Sequence, residues 1–448
     1  LIQDLMAVRV QKVARLRELG VNPYPYRFTR THTTAAIVEQ FVELEDKATV
    51  SLAGRLMAIR SMGKASFAQI LDPAGRLQLY LRKDELGEQG YEIFSLLDIG
   101  DLIGVHGQPF RTRTGEITLR VTSVEVLCKS IRPLPVVKEK EGKQFHAWED
   151  VEARYRRRHV DLILHPDTRR TFEIRAAVLR SLRRFLDGRG FLEVETPILQ
   201  SIYGGAMARP FVTHHNALDM RLYLRIAEEL PLKKLLVGGM ERVYELGRVF
   251  RNEGMDRTHN PEFTMLEFYW AWADYHEAMD LVEEMIHVVV AEATGDLRCR
   301  FDEHEIDLAP PFLRRSMSEL IRDHTGLDVL ADPEAKLRAA IRDAGESIPK
   351  FATRGHLIEL LFDLEVQPRL IQPTFVTDHP LAISPLAKVH RLAPEDLVER
   401  FELFIGGKEF GNAFSELNDP IDQRRRFEEQ ARQREAGNEE AQVIDEEF

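Results

Sequence analysis

Several familiar features are missing from this chain of 448 residues. It has no run of about 18 or more apolar residues, which argues against a membrane-spanning helix. Cysteine is scarce: Cys128 and Cys299 stand far apart and form no CxxC. That argues against a disulfide framework and a cysteine-based zinc site, and for a reducing, cytoplasmic setting. There is no P-loop, GxGxxG, HExxH or GxSxG, so any nucleotide is handled by other machinery. The N-terminal stretch mixes charges of both signs into its apolar residues and is no signal peptide. Internal repeats are absent, and the one biased segment is a charge-rich tail over 424–447, read as helical. What is present is ordinary for a soluble globular protein: 44% apolar and 30% charged residues, with length enough for two or three domains.

The net charge of −12 is unevenly distributed. Residues 1–150 balance at +2 and residues 151–448 at −14, so the first part remains free to meet a polyanion. Its pattern begins with a helix over 1–20 that stops at Gly20, then a Pro/Tyr connection at 22–26. Alternation of period two follows at 50–59, 67–71, 77–81, 102–105 and 117–126, with a helical insert over 83–97. Five strands with one helix between the third and fourth is the element order of an OB-fold barrel. A Pro- and Lys-rich linker at 131–143 comes next. Beyond it, an amphipathic helix over 172–187, strands over 242–250 and 263–270, helices over 275–294, 316–325 and 334–344, and a hairpin over 401–417 pivoting on Gly406-Gly407 give an α+β domain. The expected division is 1–138 for helix and barrel, 139–165 for the linker and 166–448 for the second domain.

The densest polar segment runs from Arg248 to Tyr269. A strand ends in Arg251, Asn252 and Glu253, and a loop with Asp256, Arg257, Thr258 and His259 leads to a second strand. On that strand Phe263, Met265, Glu267 and Tyr269 share one face. An acid and a phenol beside two large apolar groups is unusual for a plain core, although a solvated polar face would give the same pattern. Adjacent His214 and His215 point to opposite faces of an extended chain and lack a third partner, so they are no metal site.

Phe-Arg-Asn-Glu-Gly followed by His-Asn-Pro-Glu-Phe-Thr-Met-Leu-Glu-Phe-Tyr resembles motif 2 of the class II aminoacyl-tRNA synthetases, in their lysyl form. Gly190-Phe-Leu-Glu-Val-Glu-Thr-Pro197 resembles motif 1. Gly204 to Phe211, Leu224 to Leu230 and Phe401 to Asp419 match the same family, and the resemblance covers essentially the whole chain. It implies a lysine–tRNA ligase that joins lysine to ATP as lysyl-adenylate and passes the lysyl group to tRNA(Lys), working with Mg2+ as a homodimer. For ATP it implies Arg251 on the α-phosphate, Glu253, His259 and Asn260 on the nucleotide, and Phe263 on adenine. For lysine it implies Gly205, Glu229, Glu267, Tyr269, Asn412, Phe414 and Glu416. For the metal it implies Glu402 and Glu409, and for the anticodon Phe67, Gln78 and Glu116.

Physical need agrees with these assignments. Joining a carboxylate to a phosphate brings like charges together and calls for a cation there. Two ammonium groups held away from water call for several acids and an apolar wall. Strand alternation puts Asn412, Phe414 and Glu416 on one face, whereas Glu409 joins Glu402 only if Gly411 forms a bulge. Charge alone nominates Arg55, Arg60, Lys64, Arg111 and Arg113 for RNA phosphates. The alternatives are an aspartyl- or asparaginyl-type relative and a non-catalytic tRNA-binding protein. The chain starts at Leu1 and ends before the position expected for motif 3, so a longer protein is expected, and adenylation without that motif is expected to be crippled.

Overall fold

The computed structural model describes residues 2–135, 138–140, 143–145, 148–206, 208–256, 258–349, 352–393 and 396–435. Arg257 and the end of the expected tail helix lie outside the described residues. Two units separate, residues 1–166 and 167–448.

In the first unit, alternation produces a closed barrel of β1 (Val50–Met62), β2 (Ala65–Asp72), β3 (Gly75–Arg82), β4 (Leu102–Arg111) and β5 (Ile117–Cys128), in the order β1-β2-β3-β5-β4. Inward residues such as Leu52, Ile70, Leu79, Ile103, Leu119 and Val121 are wholly buried. Each contributes on the order of 1.5–3 kcal/mol of hydrophobic stabilisation. Register shifts in β1 and in the β4–β5 pair curve the sheet into closure. Glycine is required at Gly107, where a Cβ would overlap the Arg120 carbonyl. The helix Lys83–Ser95 lies between β3 and β4 and buries Phe94 in the barrel core. The N-terminal helix Ile2–Glu18 is pinned through Arg9, which donates to the carbonyls of Ser130 (2.7 Å) and Ile99 (3.0 Å). Residues in the expected linker form two short helices, Val151–Arg156 and Arg158–Leu164.

Among the described residues the second unit holds four sheets, and two of them carry its main packing. One pairs Arg242–Phe250 with Glu262–Trp270 antiparallel and carries the short parallel strand Leu192–Glu193. The helix Pro166–Asp187 buries Phe185 and Leu186 against this sheet's Tyr244 and the helix Tyr275–Thr294. The second sheet runs Leu313–Ser316, Thr374–Pro380, Leu397–Ile405 and Lys408–Phe414. One of its faces meets the helix Tyr275–Thr294 through Phe375, Phe401 and Leu403. The other meets the helices Met317–Thr325, Glu334–Asp343 and Arg354–Glu365 through Val376 and Phe404. The helix Arg354–Glu365 has no counterpart in the sequence reading. Its apolar residues Leu357, Ile358, Leu360, Leu361, Phe362 and Leu364 surround the axis, so no one-sided stripe marks it.

Candidate active site

Helix Glu229–Val237 begins with a glutamate whose carboxylate accepts from Lys233 Nζ, one turn later, at 2.6 Å. The same ammonium lies 2.7 Å from Glu416 Oε2, with the ring centres of Phe414 at 5.2 Å and Tyr269 at 5.9 Å. Beside them Tyr269 donates to Glu267 Oε2 at 3.1 Å, and the Glu228 amide donates to Glu267 Oε1 at 2.8 Å. Glu267 therefore joins the last turn before the helix to the sheet. Gly205 lies against Glu229 at φ +86°, where a Cβ would come within 2.8 Å of the Glu229 Cβ. That approach and that backbone angle both require glycine.

Carboxylates outnumber cations in this pocket. Burial, then the Glu229 charge, pushes Glu267 up to about 7. Burial raises Glu416 to about 7 despite the opposing pull of Lys233. Glu228 reaches about 8 through burial and the charge of Glu267. Burial alone would lower the Lys233 ammonium, but Glu229 and Glu416 together raise it above its ordinary value. Burial and the surrounding acids hold the Tyr269 phenol well above its ordinary value. A site with this surplus of acids favours a ligand that adds to its positive charge.

The pocket rests on Arg225, which is 2% exposed. Its Nε donates to the Arg248 carbonyl at 2.8 Å, Nη1 to Glu245 at 2.6 Å, and Nη2 lies 3.0 Å from Glu228. Glu245 sits directly across the strand pair from Glu267, so two like charges face one another. Arg225, together with Thr196 donating to Glu245 at 2.7 Å, makes that pairing tolerable.

Further along the strand pair, the Arg251 guanidinium carbon lies 5.3 Å from the ring centre of Phe263, a cation–π stack. Glu253 accepts a long hydrogen bond from the Arg209 amide (3.4 Å), and the Asn252 amide donates to the Arg209 carbonyl (2.7 Å). Asp256 organises the intervening loop, accepting from the Thr258 and His259 amides and pairing with the His259 ring at 2.8 Å. Asn260 donates to the Glu262 carbonyl at 2.6 Å. Glu253, His259 and Asn260 are exposed here.

On the hairpin, Glu402 pairs with Asn412 and Phe404 with Glu409, and Phe410 is the extra residue between them. The bulge therefore falls at Phe410, not at Gly411, and it turns Glu409 to the face of Glu402. Arg400 donates to Glu402 at 2.5 Å and to Asn412 at 3.0 Å, placing Asn412 beside the acids. Crowding by the surrounding protein, then Glu402, pushes Glu409 up to about 7. Among the described residues no group of three or more His, Cys, Asp or Glu has metal-ligand geometry. A magnesium ion needs fewer, since it keeps waters and shares substrate phosphates. Two repelling carboxylates are chemically suited to it.

The outer face of the barrel presents a row of rings. Phe67 and Tyr80 lie 4.9 Å apart, Tyr80 and Phe110 5.9 Å apart, and Arg120 caps Phe110 at 4.7 Å. Gln78 borders the row and donates to Thr118 at 3.0 Å, while Glu116 stands exposed beyond it.

Residues 150–448 match the pattern of class II tRNA synthetases (D, K and N), and residues 50–127 match an OB-fold nucleic acid binding domain. The chain is 54% identical to the lysine–tRNA ligase of Moorella thermoacetica, covering 99% of this chain and 89% of that protein. It is 52% identical to the lysine–tRNA ligase of Pelotomaculum thermopropionicum (100% and 87% covered) and 47% to that of Bacillus subtilis (100% and 89%). The chain belongs to the class II tRNA synthetases.

Within this synthetase, Arg55 is the most enclosed of the cations that charge nominates for RNA. It is half-buried, its Nη1 donates to the Gly100 carbonyl at 2.6 Å and burial lowers its pKa, so part of its guanidinium is engaged within the barrel. Arg60, Lys64, Arg111 and Arg113 all stand exposed, Arg111 with its guanidinium carbon 4.8 Å from the ring centre of Phe41. Tyr80, Phe110, Arg225 and Lys233 went unremarked in the sequence. Alternation with Gln78 could have flagged Tyr80, but in a helix Lys233 reads as an ordinary i,i+4 partner of Glu229.

Proposed function

We propose that the chain is a lysine–tRNA ligase. The observation that carries this reading is the set of Glu229, Glu416, Tyr269 and Phe414 gathered around one ammonium, with Glu267 against Tyr269. Substrate lysine brings two ammonium groups: Glu229 takes the α-ammonium, and Glu416 with Tyr269 takes the ε-ammonium. Phe414 packs on the aliphatic stem, Asn412 serves the carboxylate end, and Gly205 lets the backbone approach.

ATP lies along the strand pair, with Phe263 against adenine and Glu253, His259 and Asn260 around the nucleotide. Arg251 neutralises the α-phosphate as the lysine carboxylate attacks it and pyrophosphate departs. Glu402 and Glu409 would hold Mg2+, which screens the phosphates when bound. The 3′-hydroxyl of the terminal ribose of tRNA(Lys) then attacks the mixed anhydride, taking the lysyl group and releasing AMP. Phe67 stacks an anticodon base, and Gln78 and Glu116 read base edges.

A homodimer is proposed on the exposed apolar residues Leu192, Ile198, Leu199 and Ile202 flanking Pro197. No helix among the described residues is long and apolar enough to cross a membrane, and a cytoplasmic setting is proposed with the translation apparatus. The test of the activity is pyrophosphate–ATP exchange. Exchange driven by lysine and not by aspartate is expected; exchange driven by aspartate alone, or none with the intact protein, overturns the reading.

A further inference from the structure

The molecule holds a lysine of its own in the pocket assigned above to free lysine. Lys233 is 7% exposed, and its Nζ sits between Glu229 (2.6 Å) and Glu416 (2.7 Å) with two aromatic rings within 6 Å. Three of those neighbours, Glu229, Glu416 and Tyr269, are the groups proposed to receive the substrate's two ammonium groups, and Phe414 is the one proposed to pack on its stem. We propose that Lys233 is a resident competitor: its ammonium fills the cation seat of the empty pocket, and substrate lysine binds by exchange against it. This rests on the proposed function.

Two features make the exchange workable. Glu229 and Lys233 are one helical turn apart, so a rotation of the Lys233 side chain can release Glu416 without moving the backbone. The Glu416 side chain is 37% exposed, so an incoming ammonium reaches it from the open side while Lys233 holds it from the buried side. The exchange also sets selectivity. A small inorganic cation or a monoamine offers one charge where Lys233 already bridges two carboxylates, and gains nothing by displacing it. Free lysine offers two ammonium groups, six bonds apart, and claims both carboxylates. Lys233 thus acts on specificity by occupying the seat, not by touching the reacting atoms.

Lysine binding to the whole chain, measured by calorimetry without ATP, tests this through the sign of two effects. In K233M the competitor is gone while the acids remain, and lysine affinity is expected to rise about tenfold. Binding of n-pentylamine, expected to be too weak to detect with the original residue, is expected to become measurable. In K233R a planar guanidinium grips both carboxylates more firmly, and lysine affinity is expected to fall. A residue serving only as a structural ion pair gives the opposite order, with the Arg variant close to the original and the Met variant weaker. That order overturns the proposal, as does unchanged affinity in both variants. Should the Met variant not fold, a crystal structure of the unaltered chain with lysine bound decides. Lys233 released from Glu416 supports exchange, and Lys233 still bridging Glu229 and Glu416 overturns it. If the unaltered chain binds no lysine, it is the proposed function that fails, and the two failures remain distinct.

Discussion

On the barrel, Phe67, Gln78 and Tyr80 stand half-exposed on a surface whose core is complete without them. In the second unit, Glu228, Glu229 and Glu245 are withdrawn from water and, among the described residues, the buried cations beside them are Arg225 and Lys233. The first arrangement costs the fold little, because uncharged rings and amides need no counter-charge. The second stores an electrostatic penalty, visible in Glu228, Glu267 and Glu416 held at about 7 to 8. A surface that reads bases can be made of side chains added to a finished scaffold. A pocket that selects a doubly charged ligand is poised against its own stability, and the ligand supplies what is missing.

The contrast is broken most sharply at Glu416. E416Q removes one partner of a substrate ammonium, and lysine affinity is expected to fall on the order of 10²-fold. Unaltered lysine use in an exchange assay would remove this residue from the pocket. On the barrel, F67A deletes one stacking platform, worth about 1–3 kcal/mol, so tRNA binding should weaken about tenfold. Lysine-dependent exchange should stay at its original rate in that variant; equal loss of both would show that the units are not functionally separable. G205A is smaller again. It places a Cβ on the Glu229 side chain at a backbone angle that costs alanine about 1–2 kcal/mol, and a several-fold loss of lysine affinity with a lowered melting temperature is expected.

The smallest effect is a slope with pH. Glu228, Glu267 and Glu416 have folded values above the ordinary 4.5, so the ligand-free fold favours their protonated forms. Their contribution to stability is complete below about pH 4.5 and is lost as pH rises through 7 to 8. Bound lysine favours the ionised forms, so the rise in melting temperature that lysine produces should grow between about pH 6 and pH 8. A lysine-induced shift that stays flat or shrinks over that range would contradict the charge count.

The barrel was legible because burial in a sheet writes itself as alternation, and all five strands and the intervening helix appeared near their observed positions. Beyond residue 166 the strands of the motif and the helix Tyr275–Thr294 were equally plain. The helix Arg354–Glu365 was not, since burial on all sides erases periodicity. The site divides in the same way. Glu267 and Tyr269 share a face by simple parity, but the alignment of Glu409 with Glu402 depends on one extra residue, Phe410, in a strand whose sequence carries no bulge signal at that position. Nothing in the sequence pattern singles out Arg225, just after a strand, or Lys233, within a helix. Only the folded chain shows that each is buried among acids brought in from strands and turns distant in sequence.

The most direct measurement compares lysine with norleucine, which has the same backbone and stem length but lacks the terminal ammonium, by calorimetric titration near pH 7 in buffers of different ionisation heat. Lysine should bind about 10²-fold more tightly or better and release protons from the pocket carboxylates as it does so. Equal affinities for the two, or lysine binding without proton release, would contradict the account.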